Sequence, residues 1–193
     1  MSTYANYDLT ISGNPIQAKQ VFDVIYREGS DYVDYDYAKG YQRDDGSYFI
    51  SVCQKTWWLH ENPLENLLKD YPDVIVVETV FCDDGDYWAY TKTYKDGLTT
   101  ETEIALMFKH LVTIESGDLD STLHSLKSCL DGYEHSSITV ENNEVRFTTL
   151  EQPLFISNDW IDDKFANCSL ELTWKLDESC GLGDRWNTWD FQF

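Results

Sequence analysis

Hydrophobic and polar residues alternate in short runs along this chain, and turn residues separate the runs. In the first run Tyr7, Leu9 and Ile11 alternate with polar residues, which is typical of a half-buried strand. Asn14 and Pro15 follow, a pair that is typical of the N-cap and first residue of a helix. Apolar residues then recur at helical spacing. The chain is therefore expected to begin with a strand and a helix.

The next segment predicts a β-hairpin. Val33, Tyr35 and Tyr37 alternate with polar residues and predict its first strand. The turn signal Asp-Asp-Gly occupies residues 44–46, and residues 48–52 alternate again. In such a strand, Val33 and the two tyrosines face the core, whereas the intervening residues face solvent.

A second helix and a central strand follow. Asn62 and Pro63 predict the start of the helix, with Glu65 in the capping-box position. Residues 74–81 form a dense β-branched run, which is typical of a central strand. Residues 83–106 contain two turn signals among aromatic residues, and they predict a connecting hairpin.

The second part of the chain repeats this order. Residues 110–115 predict a strand, and a Gly-Asp pair then opens a helix with a leucine stripe. A hairpin is expected around residues 141–144, and a short helix is expected after Asn158. Residues 170–176 alternate as a last strand, and the Trp- and Phe-rich tail after them is expected to dock.

Each half is thus predicted to have the order β-α-β-β-α-β, which is the ferredoxin-like order. The expected fold class is α+β, with two tandem ferredoxin-like halves whose antiparallel sheets carry helices on one face. The predicted organisation is a first half over residues 1–82, an aromatic and acidic connecting hairpin over 83–106, and a second half with the aromatic tail over 107–193.

Two segments resemble a known family. Residues 6–13 read Asn-Tyr-Asp-Leu-Thr-Ile-Ser-Gly before a predicted helix, and residues 148–153 read Thr-Thr-Leu-Glu-Gln-Pro ahead of Trp160 and Phe165. The first segment resembles the start of the Api92/YubB-like proteins of phages and plasmids, and the second is similar to that family's threonine–tryptophan–proline segment. The resemblance implies a ferredoxin-like domain and a mobile-element origin, and it carries over no catalytic residues.

Charge narrows the class of partner. The 193 residues include 35 Asp and Glu against 14 Lys and Arg, so the formal net charge is 14 − 35 = −21. The excess is even, since residues 1–104 carry 8 − 19 = −11 and residues 105–193 carry 6 − 16 = −10. A charge of this size repels nucleic acid and anionic membrane and attracts basic surfaces. We therefore expect neither direct nucleic-acid binding nor membrane binding.

Composition also points to a folded cytoplasmic protein. Aromatic residues make up 15% of the chain, whereas disordered acidic chains are poor in them. The first residues show no signal-peptide pattern, and the five cysteines include no CxxC pair. The expected location is the cytoplasm of a bacterial host, with the protein a monomer or weak dimer.

The acidic residues near tyrosines are the candidate contacts for a partner. If residues 31–37 form a strand, then Tyr32, Asp34 and Asp36 form an outward row about 6.5–7 Å apart, similar to the phosphate spacing along a DNA strand. A simpler interpretation is that each aspartate suits a solvated face or turn. The candidate partner-binding residues are Asp31, Asp34, Asp36, Asp44, Asp45, Asp83, Asp84, Asp86 and Trp88.

Motifs for catalysis and cofactors are missing from the sequence. It contains no GxSxG, P-loop or HExxH motif. The Asp-Asp-Gly-Asp run at residues 83–86 lacks the register of a calcium loop. We expect a protein that is not an enzyme and that needs no cofactor or metal. A carboxylate-based enzyme stays open as an alternative, because a carboxylate pair can hydrolyse glycosides without any of these motifs.

These observations favour an acidic inhibitor from a phage or mobile element. Its partner is expected to be a basic nucleic-acid-binding protein, a CRISPR effector or restriction enzyme, whose nucleic-acid surface it would occupy as a mimic. The other open interpretation is an immunity, antitoxin-like or adaptor protein that binds one basic partner without mimicking nucleic acid. Competition with nucleic acid distinguishes the two.

Overall fold

The computed structural model describes residues 4–55, 64–82, 87–154, 165, 169–180, 182 and 189–192. The chain divides into two compact units, residues 1–104 and 105–193. Each unit contains one antiparallel sheet. The predicted α+β class is therefore confirmed.

The elements of the first unit are β1 Tyr4–Gly13, α1 Pro15–Ile25, a 3-10 turn Tyr35–Tyr37, β2 Ala38–Gln42, β3 Tyr48–Lys55, α2 Leu64–Leu68, β4 Val74–Cys82, β5 Trp88–Lys95 and β6 Leu98–Glu103. The strands form a six-stranded sheet in the order β2-β3-β1-β4-β5-β6. The first four strands and two helices follow the ferredoxin-like order along the chain, and the β5–β6 hairpin extends the sheet beyond β4.

The first core lies on one face of this sheet. Every second residue of β1, from Ala5 to Ile11, joins a buried cluster with the apolar residues of β3 and β4. Val21 and Ile25 of α1 and Leu64 of α2 complete that cluster, so both helices cover the same face. The helix α1 begins as predicted, because the Asn14 side chain accepts hydrogen bonds from the next two free backbone N–H groups.

The elements of the second unit are β7 Met107–Ser116, α3 Leu119–Cys129, β8 Thr139–Glu141, β9 Glu144–Leu150, β10 Ser169–Leu176, a 3-10 turn Glu178–Cys180 and β11 Trp189–Gln192. The strand order in its sheet is β11-β10-β7-β9-β8. Its core combines alternate residues of β7, β9 and β10 with Leu126, Cys129 and Leu130 at the end of the helix α3. The tail docks as expected through its backbone, because β11 pairs with β10.

The strand expected at residues 33–37 is wrong. These residues form a bend and a 3-10 turn, and the strand β2 begins only at Ala38. Aspartate is depleted in strands and favours turns, and this preference outweighs the alternating pattern here. The helix expected after Asn158 falls on residues outside the described part of the chain.

Within the described residues, no helix is both long enough and apolar enough to span a bilayer.

Candidate protein-binding surface

The aspartates before β2 do not form the predicted row. Asp31 lies exposed in the loop after α1, Asp34 is half-buried ahead of the 3-10 turn, and Asp36 is exposed within that turn. The Tyr37 backbone N–H donates to the Asp34 carbonyl at 3.1 Å, which closes the turn. Because the backbone curls here, the regular 6.5–7 Å spacing of an extended strand is lost and cannot reproduce a phosphate backbone.

Asp44 and Asp45 lie at the other end of β2, in the predicted turn before β3. The Asp45 carboxylate accepts hydrogen bonds from the Ser47 hydroxyl at 2.6 Å and backbone N–H at 2.9 Å, and these bonds lower the pKa of Asp45. Gly46 takes a φ of +85° that suits glycine. The two groups of aspartates lie at opposite ends of β2, whose five residues extend over about 17 Å.

Among the described residues, the strand between these groups is an edge strand of its sheet, since β2 is paired there with β3 alone. Three tyrosines along and just before it are exposed: Tyr35 by 39%, Tyr37 by 71% and Tyr41 by 49%. We call this surface the acidic–tyrosine edge. It comprises Asp31, Asp34, Tyr35, Asp36, Tyr37, Tyr41, Asp44 and Asp45.

A chain of aromatic rings holds the first part of the acidic–tyrosine edge in place. The rings of Tyr48 and Phe22 are 4.9 Å apart, those of Phe22 and Tyr26 are 5.4 Å apart, and those of Tyr26 and Tyr35 are 5.0 Å apart. Tyr26 also covers Gly40, where any Cβ would lie 2.7 Å from the ring. The 3-10 turn is thereby fixed against α1 and the core.

A second aromatic contact positions Tyr41 on the opposite face of the sheet. Tyr41 and its cross-strand partner Phe49 have ring centroids 5.4 Å apart. The Arg43 guanidinium lies 4.4 Å from the centroid of Phe49 and donates to the Thr10 hydroxyl at 3.4 Å. The fold thus already places one guanidinium over the ring of Phe49, the residue that Tyr41 contacts.

The remaining predicted contacts lie elsewhere. Trp88 begins β5, is half-buried against the first core, and stacks on Tyr90 with centroids 5.8 Å apart. Four strand spacings separate β5 from β2, or about 19 Å, so Trp88 is not part of the acidic–tyrosine edge. Asp83, Asp84 and Asp86 lie outside the described residues.

Sequence reasoning missed the exposure of the tyrosines because it placed Tyr35 and Tyr37 in a strand facing the core. The high density of aspartate in residues 31–36 was the available signal against a strand. For Tyr41, the sequence signal for exposure was its position in a predicted hairpin. One face of an edge strand in such a hairpin can remain in water.

The excess of acidic groups cannot be neutralised internally. With 14 cationic side chains for 35 carboxylates, one-to-one pairing leaves 35 − 14 = 21 acidic groups without a cation. Within the described residues, the ion pairs of Lys19 with Asp23 and of Arg146 with Glu141 and Glu144 join exposed groups. Water screens exposed pairs of this kind, so they stabilise the fold little. The surplus is therefore available to a basic partner.

Part of the second unit's sheet shows the opposite charge. A cavity of about 300 Å³ is lined by Lys109, Arg146 and Lys175, among other residues of β7, β9 and β10. Lys109 pairs with Asp177 at 2.9 Å, and this contact lowers the pKa of that carboxyl to about 2. Because Arg146 also has acidic partners, this cationic group is largely neutralised within the chain.

The most unusual polar group of the first unit is buried in its core. Glu78 of β4 is 1% exposed and lies between Leu9 and Lys92 of the adjacent strands. Its carboxylate accepts hydrogen bonds from the hydroxyls of Tyr94 at 2.5 Å and Tyr90 at 3.5 Å. Tyr7 also hydrogen-bonds to it.

Burial is the largest cause of the pKa shifts in this cluster. Burial raises the pKa of Glu78, and the tyrosine hydrogen bonds and Lys92 oppose that rise only in part. Burial and the nearby carboxylate also raise the pKa of Tyr7 and Tyr90. Lys92 leads from the cluster to the surface, where it pairs with Glu101 at 3.0 Å. The tyrosines come from β1 and β5, so this cluster joins the β5–β6 hairpin to the core.

The second unit also buries a titratable residue. His110 of β7 is 3% exposed and stacks on Phe147 with centroids 4.6 Å apart. Its Nδ1 lies 2.9 Å from the Phe108 carbonyl, and its Nε2 accepts from the Leu154 N–H at 2.8 Å. Both ring nitrogens therefore have partners in the neutral form, and burial lowers the pKa of His110 to about 4.

His110 is expected to make stability fall in acid. Because its pKa is about 4 in the folded chain against 6.5 for an unperturbed histidine, its contribution is complete above pH 6.5 and is lost as the pH falls towards 4. The full loss is about 3 kcal/mol. Urea unfolding of wild type and His110→Gln between pH 7.5 and 4 measures it, and a difference that does not change with pH would contradict the assignment.

Metal ligation has no support in the described part of the chain, where no three His, Cys, Asp or Glu residues are grouped to hold an ion. The arrangement instead offers an exposed edge that combines carboxylates with aromatic rings. Such a surface can bind cations of another protein.

Comparison with known proteins assigns no family. No protein-family model matches the chain, and no curated protein sequence matches it significantly. The function must therefore be argued from the surface itself.

Proposed function

We propose that this protein is a stoichiometric inhibitor, of phage or mobile-element origin, that occupies the nucleic-acid-binding surface of a bacterial defence nuclease. The target would be a CRISPR effector or a restriction enzyme in the host cytoplasm. The observation that carries the proposal is the surplus of 21 acidic groups, spread evenly over both units. A solubility role alone needs a net charge of only about 2–8 in magnitude.

The mechanism is competition for cations. Lys and Arg residues that hold phosphates also attract carboxylates, and the long-range field speeds encounter with such a surface. In this protein mimicry means binding to the same cations, since the extended row that would copy phosphate spacing is not formed at residues 31–37. The acidic–tyrosine edge provides the fixed part of the contact, and the remaining acidic surface steers the approach.

Salt and competition test the proposal together. Purified protein is titrated into cleavage assays with a panel of CRISPR effectors and restriction endonucleases on plasmid DNA. We expect inhibition at equimolar protein, at least tenfold weaker binding when salt rises from about 50 to 500 mM, and relief by excess duplex DNA.

The alternative interpretation predicts a different pattern. An immunity-like protein or an adaptor that binds outside the nucleic-acid surface leaves DNA bound to its partner. A ternary complex of DNA, nuclease and inhibitor in gel filtration would therefore overturn competition. An absence of inhibition across the panel, with salt-resistant binding to a protein that has no nucleic-acid role, would overturn the proposed function as a whole.

A further inference from the structure

We propose that the acidic–tyrosine edge selects arginine over lysine on its partner, an inference that rests on the proposed function and specifies its contact. Guanidinium groups would stack on the rings of Tyr37 and Tyr41 while their N–H groups pair with the neighbouring aspartates. The partner surface is then one lined by arginines.

Exposed aromatic rings are concentrated on the acidic–tyrosine edge. Within the described residues, three of the six large hydrophobic side chains that are exposed are tyrosines of one seven-residue stretch, Tyr35, Tyr37 and Tyr41. The same stretch and its flanks carry five aspartates, Asp31, Asp34, Asp36, Asp44 and Asp45, against Lys39 and Arg43. Rings and carboxylates are thus placed side by side.

The combination of aromatic rings with carboxylates favours cationic side chains over nucleic acid. Aromatic rings beside cations bind nucleic-acid bases, because the cations hold the phosphates. Aromatic rings beside carboxylates repel phosphates and attract cations instead. Among cationic side chains, the planar guanidinium of arginine stacks on rings and donates two parallel hydrogen bonds to a carboxylate, whereas a lysine ammonium is a strongly hydrated point charge.

The fold already contains a contact of this kind between a guanidinium and an aromatic ring. Arg43 stacks on Phe49, and Phe49 is itself in contact with Tyr41. An arginine of the partner would extend this arrangement onto the exposed ring of Tyr41. Tyr41 is also held by its ring contact with Phe49, so little conformational entropy of this side chain is lost on binding.

The test compares two peptides of equal charge. Fluorescein-labelled octa-arginine and octa-lysine are titrated with the protein, and binding is followed by fluorescence anisotropy. We expect octa-arginine to bind about tenfold more tightly. In the double variant Tyr37→Ala/Tyr41→Ala the preference should fall to about twofold or less, whereas Tyr37→Phe/Tyr41→Phe should keep it because the rings remain.

A matched control distinguishes the effect of removing an aromatic ring from the effect of removing any exposed apolar side chain. Leu98 is 71% exposed, as Tyr37 is, but it lies at the opposite edge of the sheet. Leu98→Ala should leave the preference unchanged. Circular dichroism and urea unfolding confirm that each variant is folded. If the double alanine variant is unfolded, the single variants Tyr37→Ala and Tyr41→Ala replace it, and each should reduce the preference for octa-arginine.

Three outcomes bear on the two proposals separately. Equal affinity for both peptides, or a preference that survives Tyr37→Ala/Tyr41→Ala, overturns arginine selection even if nuclease inhibition is observed. A ring-dependent preference without inhibition of any nuclease supports arginine selection and removes the nuclease as its target. A preference lost equally in Leu98→Ala would also overturn the assignment to the acidic–tyrosine edge.

Discussion

Neutralising Asp31, Asp36 and Asp44 together is expected to weaken inhibition of the target nuclease about 100-fold. These carboxylates are exposed on the acidic–tyrosine edge. Each pair with a partner cation is expected to contribute roughly 1 kcal/mol, and three such pairs correspond to about two powers of ten in affinity. The measurement is the inhibition constant of the triple variant Asp31→Asn/Asp36→Asn/Asp44→Asn in the cleavage assay that identifies the target.

The control must remove the same charge elsewhere. Asp70, Asp131 and Glu134 are also exposed and lie far from β2 in sequence. The variant Asp70→Asn/Asp131→Asn/Glu134→Gln changes the net charge equally, so it reports the contribution of the long-range field alone. We expect it to weaken inhibition less than about fivefold, mainly through slower association. Equal losses in the two variants would show that overall charge acts without a defined contact surface.

Much of the fold could be predicted from local patterns. The alternation of Tyr7, Leu9 and Ile11 predicted a strand with those three residues in the core, and Asn14 and Pro15 marked the start of α1. These predictions succeed because burial of one face and capping of one helix end depend on residues adjacent in sequence. The order of strands and helices then follows from elements that are each locally consistent.

Residues 31–37 show where local pattern fails. Their alternation resembles a strand, but the segment instead packs Tyr35 on Tyr26, and Tyr26 lies over Gly40. That arrangement depends on a contact between the end of α1 and the edge of the sheet, and alternation carries no information on it. The acidic–tyrosine edge could therefore be predicted in composition, but its geometry could not.

Glu78 shows a different limit. Strand parity places it on the same face as Val76 and Val80, which are buried, so alternation alone marks it as an acidic group in the core. Its hydrogen-bonding partners come from β1 and from the β5–β6 hairpin, 71 residues before it in the case of Tyr7 and 16 after it in the case of Tyr94. Only the sheet order brings them together.

Replacement of Glu78 by alanine is expected to destabilise the first unit by about 3 kcal/mol, because it leaves buried hydroxyls without an acceptor and opens a cavity. The Tyr94 hydroxyl, 2.5 Å from the carboxylate in the native structure, loses this partner. Urea unfolding followed by tyrosine and tryptophan fluorescence measures the loss.

Glu78→Gln separates the hydrogen bonds from the charge. Glutamine keeps an oxygen acceptor for Tyr94, and it removes a charge whose burial raises the pKa of Glu78 above 4.5. A raised pKa means that the folded chain holds this proton more tightly than the unfolded chain, so the wild type loses stability as the pH rises through and above 4.5. Glu78→Gln should therefore be at least as stable as wild type at pH 7.5 and should lose this advantage near pH 4. This pH trend is opposite to that of His110→Gln, whose stability relative to wild type rises as the pH falls.

A Glu78→Gln variant as unstable as Glu78→Ala at pH 7.5 would instead show that the carboxylate charge, through Lys92 and the tyrosines, stabilises the hairpin.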